Sequence, residues 1–241
     1  MNKYWENAIK FQEKILEVIK SISQEYQNEL QIKIEDVNLP GDKDSVIGSS
    51  TAIGFCLEEF FSVKLKQLSE KFSIEFKRNS IEDQSNKVTN SSYDFYYYFN
   101  DEKFLINFKV DKGNNNAISA INKIYEDYVL NNDENIDYHY LILKAKYKIN
   151  DRSKIEIIGF DSFYLEEINF DLGHHQDSRN WSSEFNKNSG RMIISNNHRE
   201  TQKMPIEKIS YNNTKDQITK IYNKNLQKEV DSQFDQIIHK K

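Results

Sequence analysis

The chain has 241 residues, 37% hydrophobic and 13% aromatic, which is enough apolar mass for a core and too many aromatics for a disordered chain. A single cysteine, 7 glycines and 2 prolines exclude an intramolecular disulfide framework, a cysteine-based zinc site and a fibrous or linker-rich design, and a net charge of −5 confines contact with any polyanion to a local basic surface. No stretch approaches the ~18 apolar residues of a membrane span, and the N-terminus lacks the apolar core of a signal peptide, so a cytoplasmic protein of one α/β domain, residues 1–241, is expected.

Apolar residues at helical spacing (Trp5, Ile9, Ile15, Leu16, Ile19) predict an amphipathic helix over 2–30. Its stripe needs a partner surface, which makes it a candidate dimer element. Residues 31–48 read as an irregular connection with a turn at Leu39-Pro40-Gly41-Asp42. A second helix is predicted from Ser50 to Phe72, capped by Ser49, Ser50 or Thr51, with Ile53, Leu57, Phe60, Phe61, Leu65 and Leu68 on its apolar side. Cys56 on that helix reads as a buried, inert thiol. A short strand at Phe72–Lys77 and a polar loop at Arg78–Ser92 precede two β-type runs, Tyr93–Phe99 and Lys103–Val110, joined as a hairpin by Asn100-Asp101-Glu102. Residues 115–130 read as helical, with Ile118, Ile121, Ile124, Tyr125 and Tyr128 on one side. Strands are expected at Tyr138–Tyr147, Lys154–Phe160 and Arg191–Ser195. A C-terminal helix over Asn213–Ile238 is expected to dock through Ile218, Ile221, Leu226, Val230 and Phe234. No internal repeat is present.

The chemistry-bearing segment is Phe104–Asp111, FLINFKVD. On a strand, Ile106, Phe108 and Val110 share one face, and Leu105, Asn107, Lys109 and Asp111 the other. A lysine flanked by oxygen-bearing side chains is costly on an apolar strand unless that face is wet or functional. A hairpin of this length brings Asp94 beside Asn107 across the ladder. Phosphodiester hydrolysis needs a divalent cation, an activated water and stabilisation of the charged transition state. Asp94 offers a carboxylate and Asn107 a carbonyl oxygen to Mg²⁺, while Lys109 can orient water or stabilise phosphate charge. The plainer alternative is a solvated strand face on which Asp94 and Lys109 form an ion pair worth about 0–1 kcal/mol.

This arrangement resembles the PD-(D/E)XK nuclease motif. Tyr93-Asp94 stands where Pro-Asp is usual, and Asn107-Phe108-Lys109 where Asp/Glu-X-Lys is usual. Upstream, Gly48-Ser49-Ser50-Thr51 followed by Leu57-Glu58-Glu59-Phe60-Phe61 looks like the helix of EcoRV-type restriction endonucleases, and the similarity covers roughly residues 48–111. The resemblance implies a mixed β-sheet flanked by helices with a restriction-endonuclease-like core. It also implies a homodimer, Mg²⁺ as cofactor, and a type II enzyme cutting a short double-stranded DNA sequence. Asp94 and Asn107 would bind metal, Lys109 would assist the water or phosphate, and Glu59 (or Glu58) would support the site from its helix. Asn107 departs from the pattern, because an amide lacks the net charge of a carboxylate. It is consistent with a natural amide ligand, an engineered inactivation or a DNA binder that has lost catalysis. A resolvase or repair nuclease of the same superfamily, or a binding module without catalysis, are the rival functions.

The polar stretch 171–191 is a candidate DNA-recognition loop, since stretches beyond about 12–15 residues without structure of their own are often functional. His174, His175, Gln176, Arg179, Asn180 and Arg191 have side chains that read base edges, and Trp181 can anchor the loop or stack on a sugar. Lys112 and Asn114, with Asn115 and Asn116, follow the candidate strand and are placed to contact backbone phosphates or to cap the next helix. Tyr96, Tyr97 and Tyr98 read as sheet packing.

Overall fold

The computed structural model describes residues 2–26, 29–30, 50–69, 75–78, 91–111, 117–131, 133, 135–149, 155–170, 191–194, 196–201 and 203–238. The fold is mixed α/β. Helix α1 is Lys3–Glu25, β1 Glu29–Leu30, α2 Ser50–Ser69, β2 Glu75–Arg78, β3 Phe95–Phe99, β4 Glu102–Asp111 and β5 Ala117–Ala120. Helix α3, Ile121–Ile124, runs into π-helical turns over Tyr125–Leu130, followed by β6 Tyr138–Ile149, β7 Ile155–Tyr164, β8 Arg191–Ile193, α4 Asn196–Thr201 and α5 Tyr211–Ile238. Six strands form one sheet in the order β1-β7-β6-β4-β3-β2, and β5 and β8 form a separate pair. Strands β4 and β6 run parallel, and the other neighbours in the main sheet are antiparallel.

Strand alternation decides which side of the sheet each residue serves. Even-numbered residues of β4 face α1 and α2: Phe104 stacks on Phe11 at 4.0 Å between ring centroids, and Phe108 meets Phe61 at 5.3 Å. The α1 stripe is therefore consumed by the chain's own sheet, with Trp5, Phe11, Ile15 and Ile19 buried. That removes the reason for assigning it to a dimer interface. Odd-numbered residues of β4 share the opposite face with Tyr140 of β6, whose ring is 6.3 Å from that of Tyr128 in the π-helical turns. Helix α5 docks on those turns, where Tyr125 and Tyr222 stack at 4.0 Å and the Tyr211 hydroxyl donates to the Tyr128 carbonyl at 2.8 Å.

Several boundaries move for identifiable reasons. Helix α1 is capped by Asn2, whose side chain accepts from the Trp5 N–H at 2.9 Å. It ends at Glu25 rather than at 30, because Glu29 and Leu30 pair with β7. The hairpin turn is two residues, not three: Asn100 and Asp101 take φ of 50° and 63°, as a tight hairpin of right-twisted strands requires. The helix predicted over 115–130 instead opens with β5, which pairs with β8, and then gives one α-helical turn and the π-helical stretch. Strands β6 and β7 extend each other to Ile149 and Tyr164 through their shared ladder, with an irregularity between Lys146 and Tyr147. On α5, Ile218 is buried, but Leu226 is 40% exposed and is not a docking residue. The side chains of Val230 and Phe234 lie outside the described residues. Cys56 is exposed and not buried as expected, since α2 turns Ile53, Leu57, Phe61 and Leu65 inward instead. Among the described residues no helix is long and apolar enough to cross a membrane.

A buried carboxylate ties α1, the π-helical turns and β6 together. Glu166 Oε1 accepts from the Tyr128 hydroxyl at 2.7 Å, the Tyr140 N–H at 2.9 Å and the Tyr4 hydroxyl at 3.2 Å. Burial pushes its pKa up to about 7, against the opposing pull of these donors. The folded chain then holds a proton that the unfolded chain has lost between about pH 4.5 and 7. Its contribution is fully present below that window and is lost as pH rises through it. We predict that Glu166→Gln flattens the decline in thermal stability from pH 4.5 to 8, by on the order of 3 kcal/mol. Parallel pH profiles of wild type and variant would count against this assignment.

Candidate functional site

The ladder between β3 and β4 pairs Phe95 with Ile106. One step further along, Asp94 lies opposite Asn107, and the Asp94 N–H still donates to the Ile106 carbonyl at 2.8 Å. The regular ladder ends there because the Asp94 carboxylate takes over from a main-chain carbonyl: its Oδ2 accepts the Phe108 N–H at 2.6 Å. This fixes one carboxylate oxygen at the edge of the face that carries Asn107 and Lys109.

Asn107 is buried, at 1% exposure. Its Nδ2 donates to the Ser92 carbonyl at 2.6 Å and to the Tyr140 hydroxyl oxygen at 3.0 Å. The Tyr140 hydroxyl in turn donates to the same Ser92 carbonyl. Burial raises the Tyr140 pKa and keeps that hydroxyl protonated. Three groups thus close a ring in which every donor has an acceptor. Asn107 Oδ1 is left buried with no hydrogen-bond partner, an atom that normally carries a cost of about 1–3 kcal/mol. The Ser91–Ser92 segment is itself pinned from the π-helical turns, where Asp127 Oδ2 accepts from the Ser92 N–H at 2.5 Å and the Ser91 hydroxyl at 3.1 Å.

Lys109 stands two residues further along the same face, half-buried. Its register partner on the parallel strand is Lys144, which is buried. Lys144 Nζ and Arg199 Cζ lie 5.8 Å and 4.7 Å from the centroid of the Phe163 ring, and Arg199 Nη1 is 2.8 Å from Asp161 Oδ2. Lys109 and Lys144 therefore share this face of β4 and β6, and Arg199 lies over the next strand, β7, paired with Asp161. Such a grouping suits an anion that carries its own cation.

Asp94, Asn107 and Lys109 are thus brought to one face. Glu59 is not brought with them: it is exposed on α2, which packs through Phe61 on the opposite face of the sheet, and Glu58 is on the same helix. The strand alternation that points Phe108 toward α2 necessarily points Asn107 and Lys109 away from it. Arg191 opens β8 opposite Ala120, and its side chain lies outside the described residues. Lys112, Asn114, His174, His175, Gln176, Arg179 and Asn180 also lie outside them. Tyr97 is buried and Tyr96 and Tyr98 are half-buried in the sheet. Tyr140, Ser92, Asp127 and Lys144 are site residues that sequence reasoning missed. Tyr140 and Lys144 become neighbours of β4 only through the parallel pairing, and Asp127 arrives only through the π-helical winding.

Asp94 and Asn107 Oδ1 are the oxygen donors that could hold a hard cation. Among the described residues no group of three or more His, Cys, Asp or Glu side chains is placed to hold a metal ion. No protein-family model matches the chain, and no curated protein matches it.

Proposed function

We propose that the chain is a Mg²⁺-dependent type II restriction endonuclease that hydrolyses phosphodiester bonds in a short double-stranded DNA sequence, built on a restriction-endonuclease-like core. The observation that carries this reading is the buried, unpartnered Asn107 Oδ1 beside Asp94, with Lys109 on the same face. An orphaned carbonyl oxygen next to a carboxylate suits a hard cation, and Mg²⁺ needs few protein ligands because water completes its shell. When bound, the cation supplies Lewis-acid stabilisation of charge on the phosphodiester. The remaining work belongs to side chains. Asp94 and Asn107 hold the cation site at fixed positions on the ladder. Lys109, with three N–H donors and no acceptor when charged, orients the attacking water and donates to the phosphate oxygens.

Cutting both strands of a symmetric site calls for two copies of the chain, so a homodimer is part of the proposal. The purified chain is expected to nick supercoiled plasmid in Mg²⁺ and to stop on addition of EDTA. Cleavage that ignores EDTA would contradict the cation's role. The low carboxylate count at the site favours one rival, a DNA-binding module of the same fold without catalysis. That rival predicts duplex binding with no cleavage under any metal.

A further inference from the structure

Position 107 is surrounded by groups that select an amide. The Ser92 carbonyl can only accept, so whichever Asn107 atom faces it must be a donor. That requirement orients the amide without reference to its electron count: Nδ2 turns toward Ser92 and Tyr140, which leaves Oδ1 as the atom without a partner. An aspartate at 107 in the same pose would bring a carboxylate oxygen against the Ser92 carbonyl, 2.6 Å from where Nδ2 now donates. The ring cannot simply rearrange around it. If the Tyr140 hydroxyl turned to serve the new carboxylate, the Ser92 carbonyl would lose both of its donors, Asn107 Nδ2 and the Tyr140 hydroxyl. Nor can the segment withdraw freely, since Asp127 holds it through the Ser91 hydroxyl and the Ser92 N–H.

We infer that Asn107 is the working residue of this site and not a damaged one, and that Tyr140 and the Ser92 carbonyl are the groups that position its Oδ1 as a neutral cation ligand. Tyr140 is a positioning residue, acting through the amide it holds, and Asp127 supports it by fixing Ser92. The inference rests on reading Asp94 and Asn107 as the cation site.

It runs against simple electrostatics, which makes it testable. Adding a negative charge to a cation site ordinarily tightens binding. Here Asn107→Asp is expected to weaken it, because the new carboxylate is turned against an acceptor and its ring partners are lost. The measurement is Mn²⁺ titration of the purified chain followed by electron paramagnetic resonance of free Mn²⁺, with circular dichroism as a check of the fold. Asn107→Asp should lose about tenfold or more in Mn²⁺ affinity, and Tyr140→Phe should lose a similar factor while remaining folded, as expected when the partner of a ligand is removed. Tighter binding by Asn107→Asp would overturn the inference. So would unchanged Mn²⁺ affinity in folded Tyr140→Phe, since a Tyr140 that only supports the core moves the melting temperature and not the cation affinity. Wild-type chain that binds no Mn²⁺ overturns it as well. Failure here is distinguishable from failure of the nuclease reading, which stands as long as the wild type cuts DNA in a Lys109-dependent way.

Discussion

Lys109→Ala is expected to lower Mg²⁺-dependent DNA cleavage at least about a hundredfold and to leave the fold unchanged. The two halves of this expectation come from different observations. Lys109 is half-buried on the strand face that carries Asn107, and the proposed function gives its ammonium the phosphate role there. It is also a half-buried side chain on a strand whose core contacts come from Phe104, Ile106 and Phe108. The stability change should therefore stay within about 1 kcal/mol of zero. Single-turnover cleavage, with a thermal melt as control, checks both. Full activity in a folded variant would place Lys109 outside the chemistry and favour the plainer reading of a charged strand face. Loss of activity together with loss of the fold would point to a structural role.

Asp94 offers a sharper separation, because the proposed function gives its carboxylate two jobs. One oxygen accepts the Phe108 N–H and ends the β3–β4 ladder. The negative charge is what a cation site needs. Asp94→Asn can keep the first job, since an amide oxygen still accepts from the main chain, while losing the second. It is expected to melt within a few degrees of the wild type and to cut DNA at least about a hundredfold more slowly. Asp94→Ala loses both, and leaving the Phe108 N–H without its acceptor adds a cost of about 1–3 kcal/mol. Thermal melts and cleavage rates of the two variants side by side check the expectation. If Asp94→Asn cleaves like the wild type, the carboxylate is there for the ladder alone.

The parts of the molecule that were legible in the sequence are those where local pattern and tertiary demand agree. Phe104, Ile106 and Phe108 alternate with Leu105, Asn107 and Lys109, and the sheet sorts them onto two faces as that alternation requires. Helices α1 and α2 follow from their apolar spacing, and the placement of Asp94 opposite Asn107 follows from hairpin length. What was not legible depends on partners distant in sequence. Residues 117–120 have helical periodicity but form a strand because β8 offers a ladder 70 or so positions away. The π-helical winding over Tyr125–Leu130 has no local signature. It turns Asp127 toward Ser92 and Tyr128 toward Glu166 from adjacent positions. That Glu59 lies on a helix covering the other face of the sheet was not legible for a related reason. A helix pattern shows which side is apolar, not which face of a distant strand it will cover. Asn107 illustrates the limit most clearly: its spacing marked it as part of a site, but only Ser92 and Tyr140, 15 and 33 positions away, show why an amide is suited to the place.

The most direct test of the central claim is digestion of one sequenced plasmid by the purified chain in Mg²⁺, with Lys109→Ala and Asp94→Asn alongside. Discrete fragments that map to a recurring short sequence are expected from the wild type, and uncut plasmid from both variants. A folded wild-type chain that cuts no DNA under these conditions, or variants that cut as well as the wild type, would contradict that claim.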